Sequence, residues 1–150
     1  MNEQALEYWN KFWKDKPEPK KLTAEQWGFE GTPLADELAQ LMIEGKKTAT
    51  CSAHVLYELE NEPIPEVGEY TIVLSSKNIP LCIIKTTDVQ IIPMNEVTED
   101  FARAEGEGDL SYSYWWDGHV RFFTEDLAAY GLEFSEDMPL VCERFEVVFK

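Results

Sequence analysis

Two runs in the middle of the chain limit the fold more than any other feature. GEYTIVLSS reads as a strand over residues 69–75, with Tyr70, Ile72 and Leu74 alternating. LCIIKTTDVQII, residues 81–92, is a longer strand run with a bend expected at Thr86 and Thr87. Residues 139–149 form a closing strand, and residues 47–52 can begin another. Helical patterning lies outside these runs. Leu6, Trp9, Phe12 and Trp13 recur at helical spacing over residues 3–14. A second helix is set by Thr32 as cap, Pro33 in the first turn, Asp36 and Glu37 near its positive end, and Gly45 as its stop. Its apolar face is Leu34, Leu38, Leu41 and Met42. Short helices are expected at 53–60 and from Asn95 or Thr98 to Glu105. A third long helix carries Tyr112, Trp115, Trp116, His119, Phe122, Phe123, Leu127 and Tyr130, with Gly118 and Thr124 as possible kinks and Gly131 as its end. The pattern predicts an α+β domain around a mostly antiparallel, curled sheet.

Composition narrows the partners. The chain has 150 residues, 44% of them hydrophobic and 13% aromatic, enough for one domain with a buried core. The 29 acidic and 13 basic residues leave a net charge of −16. Tight binding to a nucleic-acid backbone depends on Lys and Arg neutralising phosphates, so RNA is disfavoured as a partner. One nucleoside-sized ligand is not, because a pocket sets its own potential. Lys14, Lys16, Lys20 and Lys21, broken by Pro17 and Pro19, read as a solvated linker. No apolar run approaches the ~20 residues that span a bilayer. The N-terminus lacks the pattern of a secretory signal, so a cytoplasmic location and no membrane partner are expected. Three cysteines, Cys51, Cys82 and Cys142, with no CxxC pair and only two histidines, argue against disulfides and against a Cys/His zinc site. Cys82 and Cys142 read as buried thiols, and no metal or other cofactor is expected.

Three stretches can carry chemistry. GKKTATCSA, residues 45–53, holds two lysines, two threonines, a serine and a cysteine, with no carboxylate. A threonine hydroxyl becomes a nucleophile when a base takes its proton, and a lysine can be that base if burial lowers its pKa. An adjacent carboxylate would spoil Lys47 for that role, which makes the absence of one notable. An ordinary edge strand also accommodates Lys47 and Thr50. Residues three apart on a regular strand face opposite ways, so the two share a site only across a bulge or turn. EGEGDLSYSYWWDGHVRFF, residues 105–123, offers Glu105 and Glu107 between glycines, His119 on an aromatic stripe, and Arg121 off it as a solvated charge or an anion clamp. A lone histidine on such a stripe is more often a packed core residue. In WGFEGTP, residues 27–33, Trp27 and Phe29, with Trp115 or Trp116, can form walls for a stacked base or simply a core.

IEGKKTATCS after a capped helix resembles the signature of ASCH domains, relatives of the PUA RNA-binding fold. EGEGD followed by YWWDGHVRFF resembles a longer-chain bacterial subgroup of that family. The resemblance covers about residues 27–149. It implies a small, partly open, curled antiparallel β-barrel of PUA-like type, with flanking helices and a side cleft. It also implies a single domain over 1–150 with an N-terminal helical extension of about 1–26. ASCH proteins are commonly proposed to bind RNA, and some compact bacterial members hydrolyse N4-acetylcytidine with a lysine and a threonine of a G-x-K-x-x-T pattern and a later glutamate. By position these are Lys47, Thr50 and Glu105. The resemblance thus implies a nucleoside-like ligand and an amidohydrolase in which Thr50 attacks, Lys47 is the base, and Glu105 holds Lys47 or the base edge. Trp27, Phe29, Lys46, Glu107, Trp115, His119 and Arg121 are the candidate ligand contacts. Trp116 stands where the subgroup often has arginine, which removes one anion clamp. A non-catalytic RNA- or nucleotide-binding module, a metal-independent ribonuclease and a protein-interaction domain are the alternatives.

Overall fold

The computed structural model describes residues 1–19, 21–28 and 30–150. Five strands form one sheet: β1 (Leu22–Glu25), β2 (Ala49–Ala53), β3 (Tyr70–Leu74), β4 (Pro80–Pro93) and β5 (Pro139–Phe149). Their order is β1-β3-β4-β5-β2, so β1 and β2 are edges and the sheet curls without closing. β3, β4, β5 and β2 pair antiparallel, as the alternation predicts. β1, in a stretch with no strand signal, joins β3 in parallel. The long crossover through residues 26–69 makes that orientation available.

β4 is 14 residues long. At about 3.3 Å per residue it would span about 46 Å if straight. It bends instead, with register shifts at Ile83/Ile84 and Thr86/Asp88, the second where the threonine pair predicts one. Its first half pairs with β3, while β5 runs along most of its length.

Among the described residues, five α-helices flank the sheet. α1 (Glu3–Phe12) is capped by Asn2, whose side chain accepts the Ala5 N–H at 2.7 Å. It buries Ala5 and Trp9 on Ile72, Leu74 and Ile83, one face of the sheet. α2 (Pro33–Ile43) packs Ala39 and Met42 on Val73, Cys82, Ile84 and Phe145, the opposite face of the same strands. α3 (His54–Leu59), α4 (Glu99–Ala104) and α5 (Tyr112–Ala128) close over β2 and the far half of β5. There Trp115, Phe123 and Leu127 of α5 meet Ala49, Ala53, Leu140 and Cys142. Gly118 and Thr124 do not break α5, which runs unbroken for 17 residues. Met94–Glu96 is a separate 3₁₀ turn, so the helix expected from Asn95 or Thr98 begins only after Thr98, whose hydroxyl caps it. Tyr130, placed on the α5 stripe by its spacing, lies beyond the helix and is exposed.

Candidate functional site

Gly45 ends α2 in a left-handed turn (φ +77°). The Lys46 and Lys47 amides both return to the Leu41 carbonyl, at 2.9 and 3.1 Å. The chain leaves this turn toward the helical side of the sheet. The Thr48 amide donates to the Ala104 carbonyl at 2.7 Å, and the Phe145 amide donates to the Thr48 carbonyl at 3.0 Å. Residues 46–48 are thereby fastened between α4 and β5, and Lys47 is left 2% exposed.

The EGEGD turn meets it. Gly106 (φ +73°) lies so close that a Cβ there would stand 2.1 Å from the Lys46 carbonyl oxygen. This approach aims both neighbouring carboxylates at one ammonium. Lys47 Nζ is 3.1 Å from Glu105 Oε1, 3.5 Å from Glu107 Oε2 and 3.3 Å from the Glu105 carbonyl oxygen. Both Glu105 contacts are hydrogen bonds, and Glu107 adds an ion pair.

Glu105 is 1% exposed and collects the rest of the cluster on Oε2. The Trp115 indole donates at 2.6 Å, the Cys51 thiol at 3.2 Å, and His119 Nε2 lies at 3.2 Å. His119 Nδ1 is 2.7 Å from the Trp115 carbonyl oxygen. Carbonyl and carboxylate are both acceptors only, so both ring nitrogens must donate and the ring is an imidazolium. Two cations, Lys47 and His119, therefore balance two anions, Glu105 and Glu107.

The electrostatics agree. Burial by itself raises the Glu105 pKa, but Lys47 and His119 outweigh it and hold it down at about 2. Burial lowers those of Lys47 and His119, but the carboxylates outweigh it and both end above their ordinary values. Burial, then Glu105, drives the Cys51 thiol well up. A neutral Lys47 was expected from a stretch free of carboxylates. Tertiary packing imports two of them, so the resting lysine is charged.

This cluster forms one wall of a cavity of about 600 Å³. Lys47, Thr50, Glu105, Trp27, Glu107, Trp115 and His119 all line it. Thr50 does so from β2, opposite Glu143 of β5. Strand alternation turns Thr50 to the face away from Cys51, and among the described residues its hydroxyl makes no hydrogen bond, to Lys47 or otherwise. Lys46 is exposed and pairs with Glu44 at 3.6 Å, and Arg121 is exposed on α5; neither lines the cavity. Phe29 lies outside the described residues, as does Lys20 of the basic stretch. Sequence reasoning missed Cys51 as a partner of Glu105, and it missed Glu143, Thr86 and Tyr57 on the opposite wall. The signal for Glu143 was present: Val141, Glu143, Phe145 and Val147 share a strand face, and a carboxylate on an apolar face needs a reason.

Cys51, Glu105 and His119 also bring three metal-ligand atoms within 4.8 Å of one another. Their chemistry fits a hydrogen-bonded cluster better. The carboxylate already accepts from an indole and an ammonium, the imidazole is doubly protonated, and the thiol keeps its proton.

Comparison with known proteins agrees with the architecture. The chain is similar to the ASCH domain from Lactobacillus crispatus JV V101, at 33% identity and TM-score 0.93, over 100% of this chain and 97% of that one. It is also similar to a protein from Enterococcus faecalis V583, at 42% identity and TM-score 0.86, over 99% and 90%. A hypothetical protein at 14% identity and TM-score 0.51, over 85% and 97%, shares the fold alone. No curated protein matches. The sequence profile of the ASCH domain matches residues 25–149. With that profile spanning β2 to β5, the Gly45 turn and the EGEGD turn, the chain belongs to the ASCH domain family.

Proposed function

We propose that the cavity takes a small uncharged amide of nucleoside size, such as an N4-acylated cytidine, and that Thr50, Lys47 and Glu105 hydrolyse it. The observation that carries this reading is the buried Lys47–Glu105 pair in the wall of a cavity that Thr50 also lines. A buried ion pair of this kind is weak evidence for stability and is more readily explained by chemistry.

The charge state of Lys47 sets its role. A lysine that begins protonated serves first as an acid. Thr50 Oγ1 attacks the acyl carbon while Lys47 gives a proton to the departing nitrogen. Lys47 is restored by the proton that leaves Oγ1, and water then releases the acid from the acyl-threonine. Glu105 and His119 keep the amine in place through the cycle. Glu107, with a side chain 29% exposed, is the partner that yields when a substrate carbonyl needs the ammonium.

The test is incubation of the purified protein with N4-acetylcytidine and longer acyl homologues, followed by chromatography of cytidine. Thr50→Ala and Lys47→Arg are each expected to cost about 100-fold or more in rate. Equal turnover by wild type and Thr50→Ala, or none by either, removes the hydrolytic reading. The acid-rich lining and the net charge of −16 favour this reading over a module that grips RNA phosphates.

A further inference from the structure

The wall facing the Lys47 cluster has polar groups that the hydrolytic set does not use. Thr86 lies on β4, on the face it shares with Cys82 and Ile84, and is 5% exposed. Both of its main-chain groups are bonded, the amide to the Glu69 carbonyl and the carbonyl to the Gly68 amide, each at 2.9 Å. Among the described residues its hydroxyl makes no hydrogen bond, and the residue lines the cavity. Since no sealed side-chain oxygen among the described residues lacks a hydrogen-bond partner, this unbonded hydroxyl is open to the cavity, with its donor and acceptor both free for a ligand. Glu143, half-buried on β5, is in the same condition: its carboxyl makes no hydrogen bond or ion pair among the described residues. Nearby hydroxyls do find each other. Thr23 and Thr71 approach to 3.3 Å, and Ser52 and Tyr57 to 2.7 Å.

The charge around these groups is one-sided. Glu25, Glu60, Glu62, Glu69 and Asp126 line the cavity with Glu143, against Lys21 on this side. A phosphate brought here meets carboxylates, whereas a hydroxyl meets acceptors. A carboxylate with a neighbouring hydroxyl is the pairing proteins use for adjacent sugar hydroxyls, since it accepts two donors and offers one back.

We propose that Glu143 and Thr86 form a subsite for an uncharged vicinal diol of the kind a pentose carries, and that this wall rejects phosphorylated forms. The inference rests on the reading that the cavity holds a nucleoside-like molecule, and it assigns the half of that molecule remote from the scissile bond.

The test uses ligands that cannot be hydrolysed, so it does not depend on the chemistry. Cytidine, 2′,3′-dideoxycytidine and cytidine 5′-monophosphate are titrated into the full isotope-labelled chain, with the Thr86 methyl signal as reporter. Cytidine is expected to shift Thr86, and removing the diol or adding the phosphate to weaken binding about tenfold or more. Glu143→Ala, followed on the Thr86 methyl, and the isosteric Thr86→Val, followed on the Trp115 indole signal in the same cavity, each checked for an otherwise unchanged amide spectrum, should bring cytidine down to the dideoxy level. Equal affinity for cytidine and its dideoxy form, an unchanged ratio in Glu143→Ala, or tight binding of the monophosphate overturns the proposal. So does the absence of any Thr86 shift with both cytidine and free ribose. If cytidine shifts Thr86 but acylcytidines are not hydrolysed, the chemistry alone is lost and the subsite stands.

Discussion

At Glu105 four donors converge on two oxygens: an ammonium on one, and an indole, a thiol and an imidazolium on the other. Removing one partner of such a cluster leaves a charge buried without its counterpart. Lys47→Met is therefore expected to cost about 3 kcal/mol or more in urea unfolding, and a loss below about 1 kcal/mol would mean that His119 alone suffices. The same groups set the pH profile. Glu105 is depressed from 4.5 to about 2, so its stabilisation is complete above 4.5 and is lost as pH falls toward 2. His119 is raised above 6.5, so its contribution is complete below 6.5 and is lost as pH climbs through the folded value. Glu143 acts in the same direction as His119. Burial, Glu25 and Glu69 push it to about 7, so the folded state holds its proton more tightly and stability declines between 4.5 and 7. Thermal scans from pH 2 to 9 should show greatest stability between about 4.5 and 6.5. Glu143→Gln should flatten the upper slope and, allowing for solvent screening of a half-buried group, add about 1 kcal/mol at pH 8, or about 3 °C in Tm.

Two turns and one helix position the site, and their glycines are not equivalent. Gly106 combines a left-handed backbone with a Cβ position 2.1 Å from main chain, and no side-chain adjustment relieves that. Gly106→Ala should cost about 3 kcal/mol or more and abolish the proposed hydrolysis with it, because Glu105 and Glu107 both reach Lys47 from this turn. Gly108 differs: a Cβ there would lie 2.3 Å from the ring of Tyr114, an exposed side chain that can swing aside, so its left-handed backbone (φ +60°) is the stricter demand. Gly118, in the middle of α5, has nothing within 4 Å of its Cβ position. Gly118→Ala should stabilise α5 by about 0.5–1 kcal/mol. Denaturation of this pair of variants tests whether the EGEGD glycines are there for close approach or merely for looseness.

Over the whole molecule, a net charge of −16 opposes compaction, while the Lys47–Glu105 pair is shielded from salt by burial. Raising sodium chloride from about 10 mM to 0.5 M should therefore raise Tm, since screening weakens surface repulsion more than buried attraction. A fall in Tm would show that exposed ion pairs outweigh the excess of acid. The open sheet matters here as well. β1 and β2 are the two unjoined edges of the sheet, and residues of both line the cavity with α3 and α5. A closed barrel of five strands would fill that space with side chains.

Local pattern was enough for the α+β class, the start of α2 at Pro33 (though Thr32 makes no side-chain cap hydrogen bond), the Gly45 stop, the bend in β4 and the closing strand, because proline starts, alternation and glycine turns depend on near neighbours. Local pattern also put Lys47, Thr50 and Glu105 in view as candidates, through the resemblance their motifs carry. It failed for β1, whose four residues are a strand only because β3 offers an edge to pair with. It failed for the charge on Lys47, since the two carboxylates that hold the proton stand 58 and 60 positions away along the chain. It failed for Thr86, an unremarkable strand residue until the sheet curls and turns it toward the cavity, and it marked Glu143 only as a carboxylate on an apolar strand face, not as part of a cavity wall. Protonation state and shared cavities are properties of groups brought together across the chain, and only folding brings these together.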